Sequence, residues 1–113
     1  MEVLTGDSIG DQRRIQSEQL SQEWATFMGR KYCIPTNSGT AALHMCVAAL
    51  DIGPSDGVIL PVHIHGMPTD VDAVLQIADQ HNLKVIEDGA QSHGSKYKGR
   101  LCGAMGDVAG FSM

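Results

Sequence analysis

Short β-branched runs alternate along this chain with segments of helical spacing, and this alternation constrains the fold most. Strands are predicted at residues 32–34, 58–66 and 83–87, with helices at residues 16–28 and 40–50 and after the sequence MPTD. Strands that alternate with helices form right-handed βαβ units. The sequence therefore predicts an α/β fold in which helices flank a mostly parallel sheet.

The predicted helices differ in the width of their apolar faces. Residues 40–50 are apolar on nearly every side except at His44, which predicts a buried helix. Asn82 ends the third helix, which has Thr69 or Asp70 as its cap. Its apolar face comprises Val71, Val74, Leu75 and Ala78. The first helix carries a stripe of Leu20, Trp24 and Phe27 or Met28, and Gly29 is its predicted end.

The segment after residue 92 is rich in glycine and has only short apolar pieces. Residues 95–97 and 100–102 predict a hairpin around Lys98 and Gly99. Residues 109–112 predict one more strand.

Charge and cysteine content exclude several classes of protein. The net charge is −5 and no basic cluster is present, which argues against nucleic-acid binding. The longest apolar run, residues 41–50, is too short to span a membrane, which takes about 20 residues. The first 14 residues lack the apolar region of a secretory signal. Three cysteines without a C-x-x-C pair predict reduced thiols in a cytoplasmic protein.

Two predicted strands are followed by polar residues, NSGT at 37–40 and DGAQ at 88–91. Ligands of parallel sheets bind beyond the carboxyl ends of strands, so both segments are expected at one crevice. A helix that begins at Thr40 offers free N–H groups to a phosphate, with Gly39 allowing close approach. The competing interpretation is that Ser38 only caps this helix.

The acids Glu87 and Asp88 end the third strand and are expected on opposite faces of the sheet. Each could form a salt bridge or cap the next segment. Taken with the predicted phosphate site, they also suit a ligand that carries a phosphate at one side and a cationic nitrogen at the other. Pyridoxal phosphate fits this description.

Three histidines raise the alternative of a metal site. His63 and His65 lie two apart in a predicted strand and would share a face, and His93 follows later. No carboxylate or cysteine stands at ligand spacing beside them, so ordinary strand or pocket histidines are preferred.

Three segments carry a family resemblance: TNSGTAAL, VHIHGMPTDVDAV and VIEDGAQSHGSKYKGRLCGAMGDVAGFSM. They resemble the DegT/DnrJ/EryC1/StrS aminotransferases, from about residue 16 to residue 113. The resemblance implies the aspartate-aminotransferase fold, pyridoxal phosphate as cofactor, and amination of nucleotide-linked keto-sugars with glutamate as the amino donor. It also implies that full-length relatives form homodimers.

The resemblance assigns cofactor roles to five positions. Asp88 would hold the pyridinium nitrogen, and Gln91 would lie by the ring near its 3-hydroxyl. Gly39 and Thr40 would bind the phosphate through backbone N–H groups, with Ser112 adding a hydroxyl.

Two departures from the family pattern lead us to expect a partial large domain over residues 1–113. The sequences GVILP and VHIHG join directly near residues 61–62, where relatives have a long stretch. The family's Schiff-base lysine would lie beyond Met113, and Lys31, Lys84, Lys96 and Lys98 match nothing catalytic. The chain alone is therefore expected to be inactive. The alternatives are a non-catalytic phosphate-binding module and a sugar dehydratase of the same family.

Overall fold

The computed structural model describes residues 9–113, with side chains from residue 13 onward. The chain divides into two compact units, Met1–Pro35 and Thr36–Met113. Among the described residues, no helix is both long and apolar enough to cross a membrane.

Helix α1 of the first unit spans Ile9–Met28 and is longer than the predicted segment. It ends at Gly29, which has a φ of 65°, as expected for a glycine that terminates a helix. The predicted apolar stripe is only partly right. Met28 is buried, but Leu20 is 46% exposed and Phe27 is 52% exposed. The Phe27 ring packs on Trp24, with 5.4 Å between the ring centroids.

The strand predicted at residues 32–34 is wrong. This segment has no strand assignment, and Tyr32 and Ile34 are 74% and 67% exposed. A segment with strand-forming residues becomes a strand only when a neighbouring backbone takes up its hydrogen bonds, and none of the described strand pairings includes residues 32–34.

The second unit is an α/β structure, as predicted. Its parallel sheet has the order β1-β2-β5, and a separate antiparallel hairpin joins β3 to β4. In chain order the elements are α2 (Gly39–Ala49), β1 (Val58–Ile59), a 3₁₀ turn (Ile64–Gly66), α3 (Val71–His81), β2 (Lys84–Asp88), β3 (Lys96–Tyr97), β4 (Arg100–Leu101) and β5 (Val108–Gly110).

The backbone around Pro61 continues β1 along β2 without a change of register. Val58 pairs with Lys84, and Val62 pairs with Asp88. The Pro61 carbonyl accepts from the Asp88 N–H at 2.9 Å. Proline has no N–H to donate on that same side, so the ladder is interrupted there. The predicted extended segment at a sheet edge is confirmed over residues 58–62, whereas residues 64–66 form a turn instead.

Helix α2 packs against β5 and β2, but the prediction that it is buried is wrong. Cys46 is its only buried residue, and Met45 is 41% exposed. The described parallel sheet has only three strands, and these cover one side of the helix. Its apolar composition therefore exceeds what this unit can bury.

Helix α3 has the predicted face and ends. Val71 and Ala78 are buried in it. The Asp70 side chain caps it by accepting from the Ala73 N–H at 3.3 Å, and Asn82 ends it in the left-handed conformation. The helix packs against β2.

The predicted hairpin is present, and its turn is held against the start of α3. Lys98 and Gly99 have φ values of 49° and 82°, which is the pattern of a type I′ turn. The Tyr97 hydroxyl donates to Asp70 at 2.5 Å, and this bond lowers the pKa of that carboxyl. Ion pairs from Lys98 and Arg100 lower the pKa of the Asp72 carboxyl.

The Glu87 side chain is fully buried and accepts four hydrogen bonds. The N–H groups of Gly103, Met105 and Gly106 donate to it at 2.7, 2.7 and 2.5 Å. The ring of His63, itself buried, completes the set at 2.9 Å. The Glu87 carboxylate thereby connects β2 to His63, which follows the extended segment 58–62, and to the loop before β5.

The hydrogen bonds of the His63 ring indicate which of its nitrogens donates to Glu87. Its Nδ1 accepts from the Thr69 N–H at 3.2 Å. The proton of the ring therefore resides on Nε2, which donates to Glu87. Burial raises the pKa of Glu87, but the four hydrogen bonds outweigh it and hold the pKa below its ordinary value.

All three cysteines are free thiols, and Cys46 and Cys102 are buried as expected of core residues. Burial raises the pKa of Cys33, Cys46 and Cys102. The thiols are therefore poor nucleophiles.

Replacing Glu87 by glutamine should lower the free energy of unfolding by about 2–4 kcal/mol, because one amide cannot serve four donors. Denaturant unfolding followed by circular dichroism measures the loss. Glu18→Gln, at an exposed site on α1, should change it by less than about 0.5 kcal/mol. The pKa of Glu87 is lower in the folded chain than in the unfolded chain. Its ionised carboxylate therefore stabilises the fold above about pH 4.3, and this stabilisation is lost as the pH falls through the folded pKa. The gap between wild type and Glu87→Gln should therefore close in acid, and a gap independent of pH would contradict a charged Glu87.

Gly99→Ala should destabilise the chain by about 1 kcal/mol through conformational cost alone. No atom lies within 4 Å of the Cβ that alanine would add, but the φ is 82°. Gly53 is the matched control, because its added Cβ would meet only Asp56, at 3.5 Å, and its φ lies outside the positive range. Equal unfolding free energies for the two variants would refute the turn assignment.

Candidate cofactor site

The carboxyl ends of β2 and β5 lie side by side and carry the polar residues that follow β2. Asp88 is the register partner of Gly110, and the Gly89 N–H donates to the Gly110 carbonyl at 2.9 Å. The chain therefore leaves both strands at one edge of the sheet.

Two glycines allow very close packing at this edge. A Cβ on Gly110 would lie 2.8 Å from the Leu43 side chain of α2. A Cβ on Gly89 would lie 2.4 Å from the Phe111 ring. Neither position can hold a side chain in this packing, so α2 sits directly on β5 and the Phe111 ring directly on the turn after β2.

This packing places the start of α2 beside the residue that follows Phe111. Gly39 precedes Leu43 by four residues, about 6 Å along a helix. A Cβ on Gly39 would lie 3.1 Å from the Ser112 Cβ. The structure thus brings together Gly39 and Ser112, two of the predicted phosphate ligands, and Thr40 follows in the same helical turn.

The first N–H groups of α2 divide into two sets. Ser38 caps the helix, since its hydroxyl accepts from the Ala41 N–H at 3.1 Å and its carbonyl accepts from the Ala42 N–H at 3.0 Å. The predicted Ser38 cap is therefore present. The N–H groups of Gly39 and Thr40 precede the first intrahelical bond and remain available to a ligand.

Asp88 and Gln91 each use one side-chain atom to hold local structure. Asp88 Oδ1 accepts from the Ala90 N–H at 3.0 Å, and no bond among residues 13–113 uses Oδ2. Gln91 Oε1 accepts from the His65 N–H at 2.8 Å, which leaves the amide NH₂ of Gln91 to donate elsewhere. We call Gly39, Thr40, Asp88, Gln91 and Ser112 the carboxyl-end site.

The opposite-face prediction for the two acids is confirmed, and their roles differ. Glu87 is fully buried among its donors, whereas Asp88 is half-buried at the strand end. The sequence did not predict that Glu87 binds His63 and the loop before β5, because these partners are 16 to 24 residues away along the chain. No local pattern marks such a contact.

The metal alternative rested on a shared strand face that does not exist. His65 lies in the 3₁₀ turn with a φ of 53°, whereas His63 is buried against Glu87. The His93 ring contacts the Phe111 ring, with 5.5 Å between centroids. Within the described part of the chain, no group of three or more His, Cys, Asp or Glu residues could hold a metal ion.

The carboxyl-end site fits a ligand with an anion at one side and a cation at the other. The close approach of Gly39 to Ser112 forms a cradle that a larger side chain would fill, and backbone N–H groups and a hydroxyl line it. The unused Asp88 oxygen provides the anionic end. Both groups suit pyridoxal phosphate, through its phosphate and its ring nitrogen.

Comparison with known proteins identifies relatives across most of the chain. The sequence profile of the DegT/DnrJ/EryC1/StrS aminotransferase family matches residues 3–61 and 57–113. GDP-perosamine synthase of Caulobacter vibrioides is 30% identical over 142 aligned residues, which cover 83% of this chain and 38% of that protein.

Solved structures agree with the sequence comparison. The aminotransferase of Psychrobacter cryohalolentis superposes with a TM-score of 0.77 at 30% identity, over 84% of this chain and 36% of that one. S. venezuelae DesV gives a TM-score of 0.77 at 29% identity, over 84% and 38%.

The chain spans under two fifths of the length of these relatives. Within that span, both halves of the chain match the same profile, and the fold matches that of solved aminotransferases. The chain therefore belongs to the DegT/DnrJ/EryC1/StrS aminotransferase family, whose members depend on pyridoxal phosphate.

Proposed function

We propose that the carboxyl-end site is the phosphate-binding and ring-nitrogen-binding part of an aminotransferase that acts on nucleotide-linked keto-sugars. The observation that carries this proposal is the convergence of the α2 N-terminus, Ser112 and Asp88 at one edge of the sheet. When bound there, pyridoxal phosphate supplies an aldehyde carbon for amine chemistry and a protonated ring that withdraws electrons.

Each residue of the site has one task toward the cofactor. Gly39 and Thr40 donate their backbone N–H groups to the phosphate, aided by the positive end of the helix. Ser112 adds a hydroxyl donor. Asp88 keeps the ring nitrogen protonated, because a carboxylate favours a nearby positive charge. Gln91 directs its NH₂ to the ring, since the His65 N–H holds its oxygen.

The names of relatives support a nucleotide-linked sugar as the substrate class, and one name specifies the amino donor. They include a GDP-perosamine synthase and a dTDP-3-amino-3,4,6-trideoxy-alpha-D-glucose transaminase. Another relative is an L-glutamine:2-deoxy-scyllo-inosose aminotransferase, whose name specifies glutamine as donor. For this chain we propose a nucleotide-linked keto-sugar as acceptor and glutamate as donor.

Of the three lysines in the second unit, two form ion pairs with aspartates and the third lies in a strand of the hairpin. Lys84, at the start of β2, pairs with Asp107 at 3.3 Å, and Lys98 pairs with Asp72 at 2.6 Å. Lys96 lies in β3. No hydrogen bond or ion pair among residues 13–113 joins a lysine to the carboxyl-end site. Cofactor binding by this chain is therefore proposed to be noncovalent, and the chain alone is proposed not to transaminate.

An internal shortening near residues 61–62 is part of the proposal. The alignment with GDP-perosamine synthase is 142 residues long, whereas 83% of this 113-residue chain is about 94 residues. About 48 aligned positions of that relative therefore have no counterpart here. The overlap of the two family matches at residues 57–61 supports the same location.

Gly39→Ala should weaken pyridoxal phosphate binding by about tenfold, or about 1.4 kcal/mol, without destabilising the fold. The added methyl would lie 3.1 Å from the Ser112 Cβ and narrow the phosphate cradle, but alanine suits a helix better than glycine. Absorbance titration measures the affinity, and borohydride treatment followed by mass spectrometry should modify no lysine.

Two comparisons make the Gly39→Ala experiment specific. Gly53→Ala should bind pyridoxal phosphate like wild type. Pyridoxal, which lacks the phosphate, should bind Gly39→Ala and wild type equally weakly. Equal loss of both ligands, or borohydride fixation to one lysine with amino transfer from glutamate, would contradict the proposal.

Asp88→Asn should weaken pyridoxal phosphate binding by about tenfold, because an amide does not keep the ring nitrogen protonated. The asparagine oxygen can still accept from the Ala90 N–H, so the free energy of unfolding should be nearly unchanged. Asp79→Asn, at an exposed position of α3, is the matched control. The assignment fails if both variants bind the cofactor with the affinity of wild type.

A further inference from the structure

The segment from Val58 to Val62 forms one edge of the described parallel sheet, and its outer backbone groups are open. The Pro61 carbonyl and the His63 N–H bond to Asp88, so residues 61 and 63 face β2. Backbone groups alternate sides along a strand, so the N–H and C=O groups of Leu60 and Val62 face away from β2. No hydrogen bond to these groups occurs among residues 9–113.

The same segment exposes a row of apolar side chains. Val58, Leu60 and Val62 are 37%, 41% and 37% exposed, and their spacing of two puts them on one face of the sheet. An edge strand with open backbone groups and apolar side chains is a template for pairing with another strand. We call Leu60, Val62 and Val58 the open edge.

The sequence around the open edge has no charge that would oppose self-pairing. From Gly57 through Thr69 there is no Asp, Glu, Lys or Arg, although the chain as a whole carries a net charge of −5. Natural edge strands commonly carry lysine, proline or inward-pointing charge that blocks such pairing. Within residues 58–62 the one such residue is Pro61, and its missing N–H is on the β2 side, where it does not weaken the outer edge.

We propose that the open edge pairs with the open edge of a second copy of this chain. An antiparallel pairing centred on Pro61 places Leu60 opposite Val62 of the other copy, and these residues exchange N–H···O=C bonds in both directions. The backbone groups of Pro61 then face β2 of the same chain, so the pairing between copies needs no N–H from this proline. Leu60 and Val62 form aliphatic cross-strand pairs on one face, which add to the stability of a sheet.

The location of the open edge explains why this surface is uncovered. The two family matches overlap at residues 57–61, and about 48 aligned positions of GDP-perosamine synthase have no counterpart in this chain. The segment therefore lies where relatives have more chain. In a two-fold symmetric dimer each copy covers the open edge of the other, so the contact is closed and leaves neither open edge unpaired.

Sedimentation velocity of the purified chain over a wide range of concentration tests this proposal. We expect a reversible monomer–dimer equilibrium. Val62→Lys should raise the dimer dissociation constant at least tenfold, by about 1.4 kcal/mol or more, because it places charge at the edge. Ile77→Lys, at a 49% exposed site on α3, should leave dimerisation unchanged.

Amide hydrogen exchange of the wild-type chain gives a second measurement that does not depend on how the variant folds. The N–H groups of Leu60 and Val62 should exchange more slowly as concentration rises. The Ile59 N–H, which faces β2 in the observed register, should exchange at a rate independent of concentration. The proposal is wrong if the chain is monomeric throughout, if it grows into open-ended oligomers, or if exchange at Leu60 and Val62 ignores concentration.

Discussion

The buried carboxylate of Glu87 organises the second unit, because it joins β2 at once to the segment that follows β1 and to the loop that precedes β5. Its oxygens accept from His63 at one side and from the backbone of residues 103–106 at the other. A charge without water must be fully hydrogen-bonded to remain ionised, so all four donors are fixed in position together. Their fixation sets where β1 ends and where β5 begins, on both sides of β2.

The carboxyl-end site follows from this arrangement and from the absence of side chains at two glycines. Once β5 is placed beside β2, Gly110 lets α2 lie on the sheet and Gly89 admits the Phe111 ring. The helix start and Ser112 are then neighbours, although 73 residues separate Gly39 from Ser112 along the chain. Asp88 lies at the strand end on the face of the sheet opposite to Glu87. Two adjacent acids thus have different surroundings: Glu87 is buried in the fold, and Asp88 lies at the strand end, where we propose that it binds the ligand.

The surfaces that remain uncovered have a common cause. Helix α2 is apolar on nearly all sides yet buries only Cys46, and the open edge exposes three aliphatic side chains. Both features suit a larger sheet than the three parallel strands described here. Contact with a second copy would reduce the exposed area at the edge without adding any residue to the chain.

The sequence by itself determined the features that depend on neighbouring residues. Helical spacing predicted α3 with a cap at Thr69 or Asp70 and an end at Asn82. Lys98–Gly99 predicted the hairpin turn, and the run into Glu87 and Asp88 predicted β2. These depend on local dihedral preference and period, which are written in consecutive residues. The motif resemblance likewise identified the family, and it predicted the five residues of the carboxyl-end site.

Only the tertiary structure decided which apolar or polar segment found a partner. Residues 32–34 have strand-forming residues but no paired backbone, residues 64–66 turn away where a strand was predicted, and α2 lacks a second covering layer. The partners of Glu87 and the His65 contact that orients Gln91 are likewise set across 16 to 26 residues. Burial and hydrogen bonding depend on residues that are distant along the chain but adjacent in the folded structure. A strand, a buried helix or a bound carboxylate therefore exists only when distant residues fill the space beside it.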